Sequence, residues 1–158
     1  MLSGLDWHAA WHDIWRLLVA YVCALPVGWY REKEAHSIGV RTFPLVAMAS
    51  CGYVMLAMPA YGNSIEAQSR VIQGMVAGIG FIGGGAILRA KGNVHGTATA
   101  ASIWNTGVVG AAVAEDRIAV AIALALMNLF ALRVLLPLKT KLDDRHDQAR
   151  KAPGREPV

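Results

Sequence analysis

Four groups of residues in this chain have types and spacings that could do chemistry. "WHAAWHDIW" sets His8 and His12 at i, i+4 on one helical face, a spacing that metal ligands use. No third ligand lies nearby in sequence, so the pair reads as two histidines at a membrane surface. Arg31, Glu32, Arg41 and Arg89 fall at the ends of apolar segments at one predicted depth, where Glu32 can pair with an arginine. Asn105 lies inside an apolar run, where it can bond across helices and where any polar group is a functional candidate. The fourth group is glycine. "GMVAGIGFIGGGAILR", Gly74 to Arg89, holds six glycines in sixteen residues. Bare backbone can approach another helix closely or, if unwound, turn carbonyls toward an ion.

What the apolar segments lack is equally informative. No Asp or Glu lies in the middle of any of them. A hard cation needs carboxylates or several carbonyls, so a dedicated magnesium or proton path through one chain is not expected. No nucleophile and general base stand together either. The sequence predicts no enzyme, no metal site and no cofactor.

Composition says where these residues live. Of 158 residues, 55% are hydrophobic and 16% charged, and the mean hydropathy is +0.40. Soluble domains carry about 25% charged residues. The net charge of +4 sits in short loops and the C-terminal tail between apolar segments, which argues against nucleic acid as a partner. Cys23 and Cys51 fall within apolar segments and read as reduced, buried thiols. The first thirteen residues contain Asp6 and Asp13 but no Lys or Arg, so no cleavable signal peptide is expected.

Five segments are apolar enough to be read as helical spans: Ile14 to Tyr30, Phe43 to Ala60, Val71 to Leu88, Ala98 to Ala114 and Ile118 to Leu138. The predicted fold is an all-α membrane helix bundle. Trp7, Trp11 and Trp15 share a helical face and form an interfacial lead-in. Pro44 suits a first helical turn. "NSIE" resembles a capping box with Asn63 as cap and Glu66 reaching back. Thr97 can cap the fourth helix, and Pro137 marks the end of the fifth. Eleven Lys and Arg fall on one predicted side and three on the other, which puts the N-terminus outside and the C-terminus in the cytoplasm. Residues 1–138 form the membrane domain, and residues 139–158 form a basic tail too polar to fold alone.

The glycines and small residues make two smooth surfaces. Gly74 and Gly78 form a G-x-x-x-G pair, extended by Gly80, Gly83, Gly84 and Gly85. Thr97 to Ala114 offers the second, with Ala100, Ala101, Gly107, Gly110 and Ala111, flanked by Thr99, Ser102 and Thr106. Close helix packing is the favoured reading of "GFIGGG", and local unwinding toward a cavity or ion stays open.

Three motifs now carry a resemblance. "GWYREKEAHSIGVRT", "VIQGMVAGIGFIGGGAILR" and "VHGTATAASIWNTGVVGAAVA" occur in order between Arg16 and Ala114. Together they resemble the MgtC/SapB family of bacterial inner-membrane proteins. Tyr30, Phe43 and His95 depart from that family's usual residues. The resemblance singles out Arg31, Glu32, Gly39, Arg41 and Thr42 in the first loop, Arg89 after the glycines, and Gly96, Thr99, Trp104 and Asn105 in the third motif. It implies a multi-pass inner-membrane protein linked to adaptation to low magnesium. It further implies a regulator of another membrane complex, such as the F-type ATP synthase, working as a homo-oligomer in the bilayer. The alternative is an ion-transporting oligomer built around the glycine-rich helices.

Overall fold

Asp6 starts the first helix. Its carboxylate accepts the N–H of His8 at 3.1 Å and of Ala9 at 3.4 Å, two of the donors that a helix start leaves unpaired. The computed structural model describes residues 6–35, 39–62, 64–90 and 93–135. Among them, five helices run in order: α1 (Trp7–Ala35), α2 (Thr42–Tyr61), α3 (Ile65–Gly85), α4 (Thr97–Ala114) and α5 (Ile118–Phe130). A π-helical turn, Ala131–Leu135, extends α5. Between α3 and α4 lies a two-stranded antiparallel ribbon, β1 (Leu88–Ala90) with β2 (Asn93–His95), in which Arg89 pairs with Val94. The fold is all-α.

α4 is the centre. It packs against α1, α2, α3 and α5, and ten of its 18 residues are buried, against two of 21 in α3. Its side chains are small enough for this. On α4, Gly110 faces α2 so closely that a Cβ there would collide with the Ala47 carbonyl and lie 3.0 Å from the Cys51 nitrogen. Gly107 meets Ile79 of α3 on another side. Among the buried residues of α1, Ala20, Ala24, Val27 and Arg31 recur at spacings of four and three, which is one helical face, with Gly28 beside it. Of the ten buried residues of α4, Thr99, Ser102, Thr106, Val109 and Val113 form one such stripe, and the others lie beside it. On α5 the stripe is Ala121 and Ala125.

Several sequence expectations need correcting. The tryptophan-rich lead-in and the first apolar segment are one continuous helix, α1, with Trp7, Trp11 and Trp15 exposed. Pro44 does lie in the first turn of α2. Asn63 is outside the described residues. The cap of α3 is Ser64, whose hydroxyl accepts the Ala67 N–H at 3.3 Å. Glu66 accepts from Arg70 Nη2 at 2.7 Å, the usual i, i+4 geometry. Gly96, not Thr97, occupies the N-cap of α4. Its φ of +86° is in the left-handed region, and a Cβ there would meet the Ala86 carbonyl. The third segment leaves the helix at Gly85 and enters the ribbon, instead of staying helical to Leu88.

The glycine-rich surface of α3 is the largest correction. A methyl added at Gly74, Gly78, Gly80, Gly84 or Gly85 would meet no other helix within 4 Å. Of the six, Gly83 alone makes a close approach, 3.1 Å from the Ala100 carbonyl to its Cβ position. The run is also helical through Gly85, so "GFIGGG" is not unwound. By length and composition, α2 and α5 with its π-helical turn are the two helices among the described residues apolar enough to cross a membrane. Pro137 and the tail 139–158 lie outside the described residues.

Candidate functional site

The buried stripes of α1 and α4 meet at one end of the bundle, and each ends there on a polar residue. Arg31 is only 6% exposed and Thr99 only 4%. The Nη2 of Arg31 donates to the Thr99 hydroxyl. Its Nε, also buried, has no partner among the described residues. Burial pushes the Arg31 guanidinium below its ordinary pKa, while the nearby Glu34 and Tyr30 act in the opposite direction. Arginine stays protonated through shifts of this kind, so the group is a buried cation held by a neutral hydroxyl.

Next to it, the first loop folds back on α1. Glu32 accepts the Val40 N–H at 2.9 Å. Gly39 fits against the same turn of α1, where a Cβ would lie 2.6 Å from the Glu32 nitrogen. The Gly39 carbonyl then accepts the Phe43 N–H at 3.2 Å, which carries the chain into α2. Phe43 is fully buried behind it. Of the arginines that Glu32 could have met, Arg41 is not paired with it: the carboxylate is used on a backbone donor, and Arg41 is exposed. The Arg89 side chain lies outside the described residues.

The π-helical turn after α5 closes the other flank. The Tyr30 hydroxyl donates to the Leu132 carbonyl at 3.4 Å, and the Arg133 guanidinium stands 5.9 Å from the Tyr30 ring centre. Deeper in the bundle, polar groups of α4 and α5 satisfy one another. Ser102 donates to Asn128 Oδ1 at 2.8 Å, and Asn128 Nδ2 donates back to the Ser102 carbonyl at 3.4 Å. Asn105 Nδ2 donates to the Leu124 carbonyl at 3.3 Å, and Thr106 donates to the Ser102 carbonyl at 2.8 Å.

The structure thus brings together Arg31, Glu32, Gly39 and Thr99 at one end, with Gly83 and Gly96 supporting the start of α4. It leaves the rest apart. Thr42 lines a groove of about 780 Å³ between α2 and α3, beside Gly74 and Gly78. Trp104 is half-exposed on the outer side of α4. His8 and His12 are exposed on α1. Sequence reasoning missed Asn128, although a lone amide in the most apolar segment was the available signal. It also missed the pair at the opposite end, where Arg16 Nε donates to Asp116 Oδ1 at 3.0 Å and Nη2 to Oδ2. Those two residues are 100 positions apart, and no local pattern announces them.

The model of the MgtC family matches residues 17–141. Protein SrpB of Synechococcus elongatus is 40% identical over 110 residues, 62% of this chain and 60% of that protein. A putative magnesium transporter, YhiD of Escherichia coli, is 28% identical over 137 residues, 83% of this chain and 64% of that protein. Protein MgtC of Salmonella typhimurium is 33% identical over 97 residues, 61% of this chain and 41% of that protein. The chain thus spans less than two thirds of the length of these relatives. No solved structure matches it.

The packing of the first loop is open to test. Glu32→Ala removes a charge-assisted hydrogen bond worth about 1.5–3 kcal/mol, and Gly39→Ala drives a methyl into α1. Each should raise the fraction of open first loop roughly tenfold or more. Tryptic cleavage at Arg41 in the purified protein should accelerate accordingly. Cleavage at the wild-type rate in both variants would mean that the loop is not held.

Proposed function

We propose, from the premise that this chain belongs to the MgtC family, that it is a multi-pass protein of a bacterial inner membrane that regulates another membrane complex. All five helices span, with the N-terminus outside. α2 and α5 are apolar enough on their own. The other three carry their polar residues on faces turned inward or at their ends, as Thr99, Ser102 and Thr106 of α4 are. Lys and Arg concentrate at the Arg31 end, which is the cytoplasmic one. The family resemblance ties the protein to low-magnesium adaptation and makes the F-type ATP synthase a candidate partner. The chain does no covalent chemistry, and it acts as a homo-oligomer in the bilayer.

The observation that supports regulation is the closed polar interior. Ser102, Asn105, Thr106 and Asn128 direct their hydrogen bonds to each other and to backbone carbonyls of α4 and α5. A conduction path needs groups free to replace an ion's hydration shell. The polar groups at the Arg31 end instead fix the first loop and α4, which suits a rigid face for a partner. Transport is the second reading. The relative described as a putative magnesium transporter favours it, as does the open glycine-lined groove between α2 and α3.

Two measurements decide. Cysteines introduced singly in a background lacking Cys23 and Cys51 report the topology. Ser64→Cys should react with an impermeant maleimide in intact cells and Gly92→Cys should not; the reverse labelling would overturn the orientation. Purified protein in liposomes loaded with a magnesium-sensitive dye should pass no more magnesium than empty liposomes. Saturable flux would replace regulation by transport.

A further inference from the structure

The Arg31 end holds a set of donors without an acceptor. A guanidinium carries five N–H donors in a planar fork. Here the Nη2 is bonded to a neutral hydroxyl and the Nε is buried with no partner among the described residues. No carboxylate among the described residues forms an ion pair with it, and Glu34 acts on it only from a distance. The ion pairs among them are Arg16–Asp116 and Arg70–Glu66. Glu32 is committed to the Val40 N–H, and Glu34, further along α1, is exposed. A buried charge without a counter-charge is strongly unfavourable, and an anion held beside Arg31 would supply one that the described residues do not.

The second partner in that bond points the same way. Thr99 stands in the first turn of α4, an 18-residue helix with no side-chain cap on its N-terminus. The first backbone N–H groups of such a helix are unpaired, and its dipole favours negative charge. When the Thr99 oxygen accepts from Arg31, its own O–H remains to donate. Arginine Nε–H, threonine O–H and helix-start amides are the donor set that binds phosphate and similar oxyanions. On the neighbouring face of the same two turns lies a crevice of about 320 Å³, lined by Ala98, Ala101, Leu132 and Leu135 with Ser102 and Asn128 at its polar edge. It is apolar enough for part of an acyl chain.

We propose that Arg31, Thr99 and the N-terminus of α4 form a binding site for a phosphate-type oxyanion, supplied either by a phospholipid headgroup or by free phosphate. The site does not depend on whether the protein regulates or transports. It makes the junction of α1 with α4 responsive to an anion.

The test uses the full chain purified in a phosphate-free maltoside detergent. Its thermal unfolding is followed while either inorganic phosphate or phosphatidylglycerol in mixed micelles is titrated. Saturable stabilisation is expected with at least one of them. Phosphatidylglycerol alone identifies a lipid headgroup; inorganic phosphate identifies the anion itself. Thr99→Val, which keeps the side-chain shape, and Arg31→Lys, which keeps the charge but loses the fork, should each raise the half-saturating concentration roughly tenfold, the effect of one lost charge-assisted hydrogen bond. Lys33→Gln, which removes an exposed cation at the same end, should leave it unchanged. If Arg31→Lys fails to accumulate, Thr99→Val carries the test alone. Absence of saturable stabilisation by either anion overturns the proposal. So does an equal loss in Lys33→Gln, which would mean general charge attraction.

Discussion

The Ala47 carbonyl of α2 occupies the space that a side chain at residue 110 of α4 would need. The rest of the bundle depends on this contact. Two helices in lipid gain little by hiding apolar surface, so they associate where their backbones can come close. Gly110 lets α2 and α4 do so, and with α2 fixed α4 becomes the element that every other helix touches. Ser102 and Asn105 then reach α5, Gly107 accommodates α3, and Thr99 arrives opposite Arg31.

Because α4 is central, the two ends of the bundle are built differently. At the Arg16 end, a bidentate Arg16–Asp116 pair joins α1 to the turn after α4. It is partly exposed and neutral overall. At the Arg31 end the cation is buried and bonded to a hydroxyl, while the carboxylate beside it is turned to the first loop. The polar chemistry that could sense a ligand or a partner is therefore concentrated at one face. The α4–α5 hydrogen bonds beneath it are closed on themselves.

Much of this was legible in the sequence, and what was not has physical reasons. The all-α bundle and the family follow from apolar segments and ordered motifs. The inward position of Arg31 was readable too, since Ala20, Ala24, Val27 and Arg31 keep one helical spacing. Its place at the end of an apolar segment beside Glu32 pointed instead to a charge cluster. Its partner was not readable, because facing stripes on α1 and α4 are related only by the tertiary fold. The glycines of α3 mislead for a related reason. A small residue permits close approach but does not require it: Gly83 and Gly110 are used, while Gly74, Gly78, Gly80, Gly84 and Gly85 face open space. The helix caps stand one residue from where the sequence points, Ser64 for Asn63 and Gly96 for Thr97, since neighbouring residues of capping type compete for the same role.

The backbone contact of α4 with α2, not the glycine-rich face of α3, organises the bundle. Unfolding of the purified protein in detergent, compared between Gly110→Ala and Gly78→Ala, tests it most directly. A methyl at 110 has only backbone to displace and should cost about 1–3 kcal/mol as overpacking. A methyl at 78 meets nothing within 4 Å and should leave stability unchanged or slightly raised. A destabilised Gly78→Ala beside an unaffected Gly110→Ala would contradict the account and return the organising role to α3.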